Sequence, residues 1–316
     1  MTDFKTQLNA SIKSRDTEEW LDMYFTRPIG LVITLVCKRL GIHPNAVTAV
    51  SVVLGVAAAC MFWHTDLEHN LFGVVLLMAA NFCDSADGQL ARLTGKKTLV
   101  GRVLDGFAGD IWFFSIYFAL CCRLTFQLMP GVDTIWGPWI WVLAFIAGVL
   151  CHSPQSSLAD YYRQIHLFFL KGKEGSELDT YAGQRAIYDG LTRQSPLIAR
   201  MFYYNYANYC RSQERRTPAF QRLMTVVKEC YGDVSGMSAE LRQRFIDGSR
   251  PLMKYTNILT FNVRAICIYV TCLAGCPWVY MLIEVTVFTL LYIYMHKKHE
   301  NLCEEITAQI RKEGAR

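Results

Sequence analysis

Long apolar runs separated by short charged stretches set the pattern of this chain. A helix needs about 20 mainly apolar residues to cross a bilayer. Residues 45–63 meet that length, and Pro44 and Asn45 before them read as a helix start with Asn45 as N-cap. The next run, 71–82, is short, so its helix is expected to continue past Asp84 and Asp87 toward Leu93. Further spans are expected at about 100–120, 135–152, 258–274 and 278–295. Upstream, residues 20–40 mix Trp20, Tyr24 and Phe25 with Arg27, Lys38 and Arg39, the pattern of a helix lying at a membrane surface. Residues 158–255 contain no run of span length but carry helical patterns such as FQRLMTVVKECY. The expected fold is all-α and polytopic. It has an N-terminal lead-in and interfacial helix (1–44), transmembrane helices one to four (45–157), a helical cytoplasmic insert (158–255), helices five and six (256–297) and a charged cytoplasmic tail (298–316).

Composition agrees with a membrane protein that has a large polar part: 52% of residues are hydrophobic and the mean hydropathy is +0.18. The distribution of the 32 lysines and arginines predicts topology. The loops after spans one, three and five hold zero, one and zero of them; the N-terminus, the loop after span two, the insert and the tail hold six, four, fifteen and five. The positive-inside bias therefore puts both termini, the 84–110 stretch and the insert in the cytoplasm, in the manner of a cell inner-membrane protein. No basic–aromatic face suggests a nucleic-acid partner, and the N-terminus lacks the short apolar core of a cleaved signal. The twelve cysteines are scattered without CxxC or zinc spacing and read as small buried hydrophobes.

Candidate chemistry concentrates in 84–110, which carries Asp84, Asp87, Asp105 and Asp110 where two spans meet the membrane edge. Carboxylates at that depth are costly and usually functional. Asp84 and Asp87 are three apart and share a helix face, and Gly88 and Ala91 leave room beside them. Converging carboxylates repel one another unless a cation neutralises them, and an oxygen-only set suits Mg²⁺, Mn²⁺ or Ca²⁺ rather than zinc. Arg92, Lys96 and Lys97 nearby suit a phosphate.

The pattern D-x-x-D-G-x-x-A-R, eight residues, then G-x-x-x-D stands here as Asp84, Asp87, Gly88, Ala91, Arg92, Gly101 and Asp105. It resembles the signature of the CDP-alcohol phosphotransferases. The resemblance takes in about 20–157 and 256–297 and leaves the insert outside the family's minimal core. It implies transfer of a phospho-alcohol, typically phosphatidyl from CDP-diacylglycerol, to the hydroxyl of a small polar alcohol, with release of CMP. It also implies Mg²⁺ or Mn²⁺ held by Asp84, Asp87, Asp105 and a fourth aspartate that serves as general base. Gly88, Ala91, Arg92 and Gly101 would line the CDP pocket, with Asn45 and Thr48 as further nucleotide contacts. The family's fourth aspartate falls four residues after the third, where this chain has Gly109; Asp110 comes one residue later. Five helical residues turn a side chain roughly 140° away, so a π-bulge eased by Gly106 and Gly109 would have to return Asp110 to the site, or the base is elsewhere.

Arg264, inside span five, reads either as an acceptor clamp or as the partner of Glu284 in span six. Lys96 and Arg163 are further candidates for the substrate. The acceptor alcohols that fit the motif are inositol, inositol phosphate, glycerol phosphate, serine, choline and ethanolamine, with a lean to the first two. A homodimer is left open. The alternatives are a catalytically impaired member of the family and a cation-binding transporter, which would spread its acids through the spans.

Overall fold

The computed structural model describes residues 6, 8, 14, 16–96 and 99–314, without the side chains of 99–100, 102–104 and 314. It is all-α. Among the described residues there is no strand, and six helical runs are long and apolar enough to cross a membrane: Pro44–Phe62, Leu67–Thr94, Asp105–Leu124, Trp139–Lys171, Ala239–Leu273 and Trp278–Glu313. The chain is an integral membrane protein. The fourth and sixth runs extend well beyond the apolar stretches that announce them, and the tail is a continuation of the last helix rather than a separate one. Contacts divide the chain into two units, one of 1–13, 18–154 and 261–289, the other of 14–17, 155–260 and 290–316.

In the first unit a π-turn, Asp22–Thr26, leads into α1 (Arg27–Arg39). This helix is two-sided. Leu31, Thr34 and Cys37 are buried, while Val32, Val36 and Leu40 are exposed with Trp20 and Tyr24 upstream. The buried side packs on α3, where the Thr34 hydroxyl donates to the Ala86 carbonyl at 2.9 Å. α2 (Pro44–Phe62) begins with proline at N1, where its fixed φ suits the first turn. The cap therefore falls on the preceding residue. His43, not Asn45, accepts from the Asn45 amide, at 3.2 Å.

α3 (Leu67–Thr94) is capped by Asp66 and ends at Gly95, whose φ of 69° is the left-handed conformation that closes a helix. It continues past Asp84 and Asp87, as its short apolar run requires. α4 (Leu99–Leu124) is α-helical from end to end. α2, α3 and α4 pack together through small residues and interlocking apolar side chains, among them Ala58, Phe62, Leu77, Ala80, Trp112 and Ile116. At Gly55 a Cβ would collide with the Trp112 indole, so the glycine sets how closely α2 and α4 approach. Arg123 fastens the far ends of these helices. It is buried, and its Nη1 donates to the Phe62 carbonyl at 3.2 Å and to Asn70 Oδ1 at 2.9 Å.

The fourth run starts as α5 (Trp139–Phe145), passes through a π-turn, Ile146–His152, and goes on as α6 (Ser153–Lys171).

The second unit adds α7 (Tyr181–Asp189), α8 (Leu197–Arg216), α9 (Pro218–Tyr231), α10 (Ala239–Ser249) and α11 (Met253–Ile258). α6 supplies its core with Tyr162, Ile165 and Phe169, and the Phe169 ring stacks on Phe245 at 3.8 Å. The orphan carbonyls at the end of α6 are met by Arg242, whose Nη2 donates to Leu170 at 3.0 Å. The chain then returns to the first unit with α12 (Phe261–Leu273), α13 (Trp278–Ile283) and a third π-turn, Glu284–Phe288. α14 (Thr289–Gly314) completes the described chain. The π-turns at 146–152 and 284–288 pack on one another.

Candidate active site

α3 and α4 bring three of the four aspartates together. One carboxylate oxygen from each of Asp84, Asp87 and Asp105 lies within 4.8 Å of the other two. The first two come from one helix face through their spacing of three, and α4 presents the third. Asp87 is buried and its Oδ2 makes no hydrogen bond among the described residues. Its other near neighbours are the Thr48 hydroxyl, the Gly88 amide and the Arg92 guanidinium. Arg27 and Asp22, from the N-terminal helix, are the next charges around Asp84.

A divalent cation fits this donor set. Three anionic oxygens at mutual distances of a few ångströms, together with a buried Asp87 oxygen that has no donor, ask for a positive charge that one arginine on each side only partly supplies. Two other groups of potential ligands exist among the described residues, His64–Asp66–His69 and His299–Glu300–Cys303. Each contains imidazole, and the second a thiol, so neither is the oxygen-only set that suits Mg²⁺ or Mn²⁺ beside phosphates.

The remaining motif residues surround the cluster in sequence-dictated ways. Gly88 follows Asp87 and has the Arg92 guanidinium folded over it, Nη1 lying 3.5 Å from where a Cβ would stand. Ala91, Arg92 and Gly101 are half-buried and Lys96 is exposed. Thr48 is buried against Asp87, and Asn45, half-buried, lies one helical turn before it on α2. Lys97 and the Arg102 side chain lie outside the described residues.

No π-bulge interrupts α4. A step of five residues on a regular helix turns Asp110 away from Asp105, and Asp110 is not among the clustered carboxylates. Asp110 is an exposed residue, and three of the four aspartates are the ones brought together. The π-turns among the described residues lie at Asp22–Thr26, before the first span, and in the fourth and sixth runs, where they carry His152 and Glu284. Of the two readings of Arg264, the structure displays the pairing with Glu284, at 3.1 Å and buried, with His152 Nδ1 3.7 Å from the same carboxylate. Arg163 belongs to the second unit, where it donates to Asn257 Oδ1 at 3.0 Å. The reading of the sequence missed Arg27 and Asp22, although two opposite charges in an aromatic, otherwise apolar stretch were a signal for them.

Residues 41–159 match the sequence model of the CDP-alcohol phosphatidyltransferase family. The aspartate cluster and every motif residue around it fall inside that matched segment. The chain is also similar to the archaetidylinositol phosphate synthase of Pyrococcus horikoshii, with 32% identity over 81 residues. Those residues are 26% of this chain, and they span 42% of the length of that relative.

Proposed function

We propose that the protein is a membrane phosphotransferase that moves a phospho-alcohol, typically phosphatidyl, from a CDP-alcohol to a small polar alcohol and releases CMP. The observation that carries this is the convergence of Asp84, Asp87 and Asp105 within the segment that matches the CDP-alcohol phosphatidyltransferase family. A Mg²⁺ or Mn²⁺ ion held by these three carboxylates would neutralise charge on the donor's two phosphates and so favour departure of CMP.

The chain's own residues do the rest. In the reaction the acceptor hydroxyl oxygen bonds to the phosphorus that carries the alcohol, the bond from that phosphorus to the CMP oxygen breaks, and the hydroxyl proton leaves to a base. Arg92, folded over Gly88 beside Asp87, is the fixed positive charge for a phosphate oxygen. Thr48 orients the Asp87 carboxylate, and Asn45, Gly88, Ala91 and Gly101 form the walls of the nucleotide pocket. Lys96, exposed just after Gly95, draws anionic substrate toward the site. Asp110 is the next acid after Asp105; turned away from the cluster on a regular helix, it would take the proton through a bridging water.

For the acceptor we favour inositol phosphate or inositol, because the matched relative is a synthase of an inositol phosphate lipid by name. The bias of basic residues supports a site facing the cytoplasm. The test is direct: purified protein with CDP-diacylglycerol and Mg²⁺ or Mn²⁺ releases CMP when inositol phosphate or inositol is added, and less with glycerol phosphate, serine, choline or ethanolamine. Absence of CMP with every acceptor overturns the enzymatic reading and favours an inactive member of the family, an outcome that Gly109 at the fourth aspartate position keeps in view.

A further inference from the structure

The second unit carries a helical hairpin with a surface that its own core leaves uncovered. α7 and α8 pack on one another, and α8 buries Ala199, Phe202, Ala207 and Cys210. On another side of α8, Leu197, Ile198, Met201 and Tyr204 follow at helical spacing and are all exposed, Leu197 by 68%. Ile187 of α7 is exposed too, and the Tyr188 ring lies 5.6 Å from that of Tyr204. A contiguous apolar patch of this kind marks an interaction surface.

The charge around the patch points to what covers it. From 185 to 211 the chain has four arginines, Arg185, Arg193, Arg200 and Arg211, and one acid, Asp189. Asp189 is already paired with Arg185 at 3.0 Å. Arg185 and Arg211 lie over the rings of Tyr188 and Tyr181, at 4.9 and 5.3 Å. An apolar stripe collared by tyrosines, with an excess of arginine and almost no acid, is the composition of a helix seated in the headgroup region of an anionic leaflet. A symmetric pairing of two copies through this face would set arginine against arginine.

We infer that the α7–α8 hairpin is a membrane-docking element. Leu197, Ile198, Met201 and Tyr204 enter the boundary between headgroups and acyl chains. Arg193, Arg200 and Arg211 meet the lipid phosphates. The partner is the anionic lipid surface itself.

The test uses the full chain, one copy per nanodisc, in phosphatidylcholine alone or mixed with phosphatidylglycerol, followed by hydrogen–deuterium exchange. Amides of 185–204 exchange more slowly in the anionic discs. Each arginine removed weakens docking about fivefold, so Arg193→Gln/Arg200→Gln/Arg211→Gln erases the difference between the two lipids. Leu197→Asp/Ile198→Asp loses the protection in both, while peptides from 218–249 stay protected and report an intact fold. Equal exchange of 185–204 in both lipids and in both variants overturns the inference. So does protection that appears only with two copies per disc, which assigns the face to self-association. If a variant unfolds, the wild-type chain with a lipid bearing a photoreactive acyl chain decides: crosslinks within 185–204 support docking, and their absence there overturns it.

Discussion

The Arg264 guanidinium meets the Glu284 carboxylate at 3.1 Å, and neither side chain is more than 1% exposed. The Phe288 ring, 5.5 Å from the guanidinium carbon, closes one side, and His152 approaches the same carboxylate from the facing π-turn. Removing one member of such a pair strands the other charge, which costs about 3–5 kcal/mol, whereas replacing both by apolar groups is close to neutral. Arg264→Met is expected to lower stability by that amount in a detergent unfolding experiment, and Arg264→Met/Glu284→Leu to recover most of it. A double variant that is stable yet has a raised KM for the acceptor alone would return Arg264 to the role of acceptor clamp.

Asp87 is the most buried residue of the cluster, and its Oδ2 is buried with no hydrogen-bond partner among the described residues. Asp87→Asn keeps the shape and removes the charge. CMP release is expected to fall at least about a hundredfold, the scale on which loss of one preorganised charge contact acts. The variant is expected to be as stable as the parent or more so, since it relieves repulsion with Asp84 and Asp105. Retained activity in saturating Mg²⁺ would remove Asp87 from the metal set.

General-base catalysis contributes about 10²–10⁴-fold, so Asp110→Asn is expected to lower turnover by that factor with little change in KM. Gly109 offers the complementary test. Its Cβ position has open space within 4 Å, and residue 109 is one helical turn from Asp105. Gly109→Asp in the Asp110→Asn background restores the family's spacing and is expected to rescue turnover. Full activity of Asp110→Asn alone would show that the base lies elsewhere.

At the opposite end of α3, the backbone amide of His69 and then its ring hold the Asp66 carboxyl down to about 2. A carboxylate depressed on folding contributes stability above its unfolded pKa, near 4, and that contribution disappears as pH falls toward 2. The start of α3 is therefore expected to loosen between pH 4 and 2, seen as faster amide exchange at 67–70. Asp66→Asn, which caps without a titratable group, is expected to flatten this dependence; an unchanged profile would assign it to another acid.

The spans and the motif were legible because each depends on local sequence. Apolar run length gives Pro44–Phe62, and a spacing of three puts Asp84 and Asp87 on one face. What could not be read depends on contacts between residues far apart in the chain. Nothing near Arg264 distinguishes an acceptor phosphate from Glu284 as its partner. Arg27 and Asp22 join the surroundings of Asp84 only because α1 packs along α3. The position of Asp110 hinged on whether glycines at 106 and 109 open a π-bulge, and permissive residues allow that backbone without dictating it. The extension of the fourth run to Lys171 was hidden because its later residues are buried against protein rather than matched to the apolar thickness of a bilayer.

Arg123 bears on how the protein is made. The carbonyl it holds closes the first span and the amide it holds opens the second, yet the arginine itself arrives only with the third. A nascent chain that has delivered the first two spans still carries those polar groups without their donor. The smallest self-sufficient assembly at this end is therefore three helices, and the aspartate cluster, which also waits for α4, becomes complete in the same step.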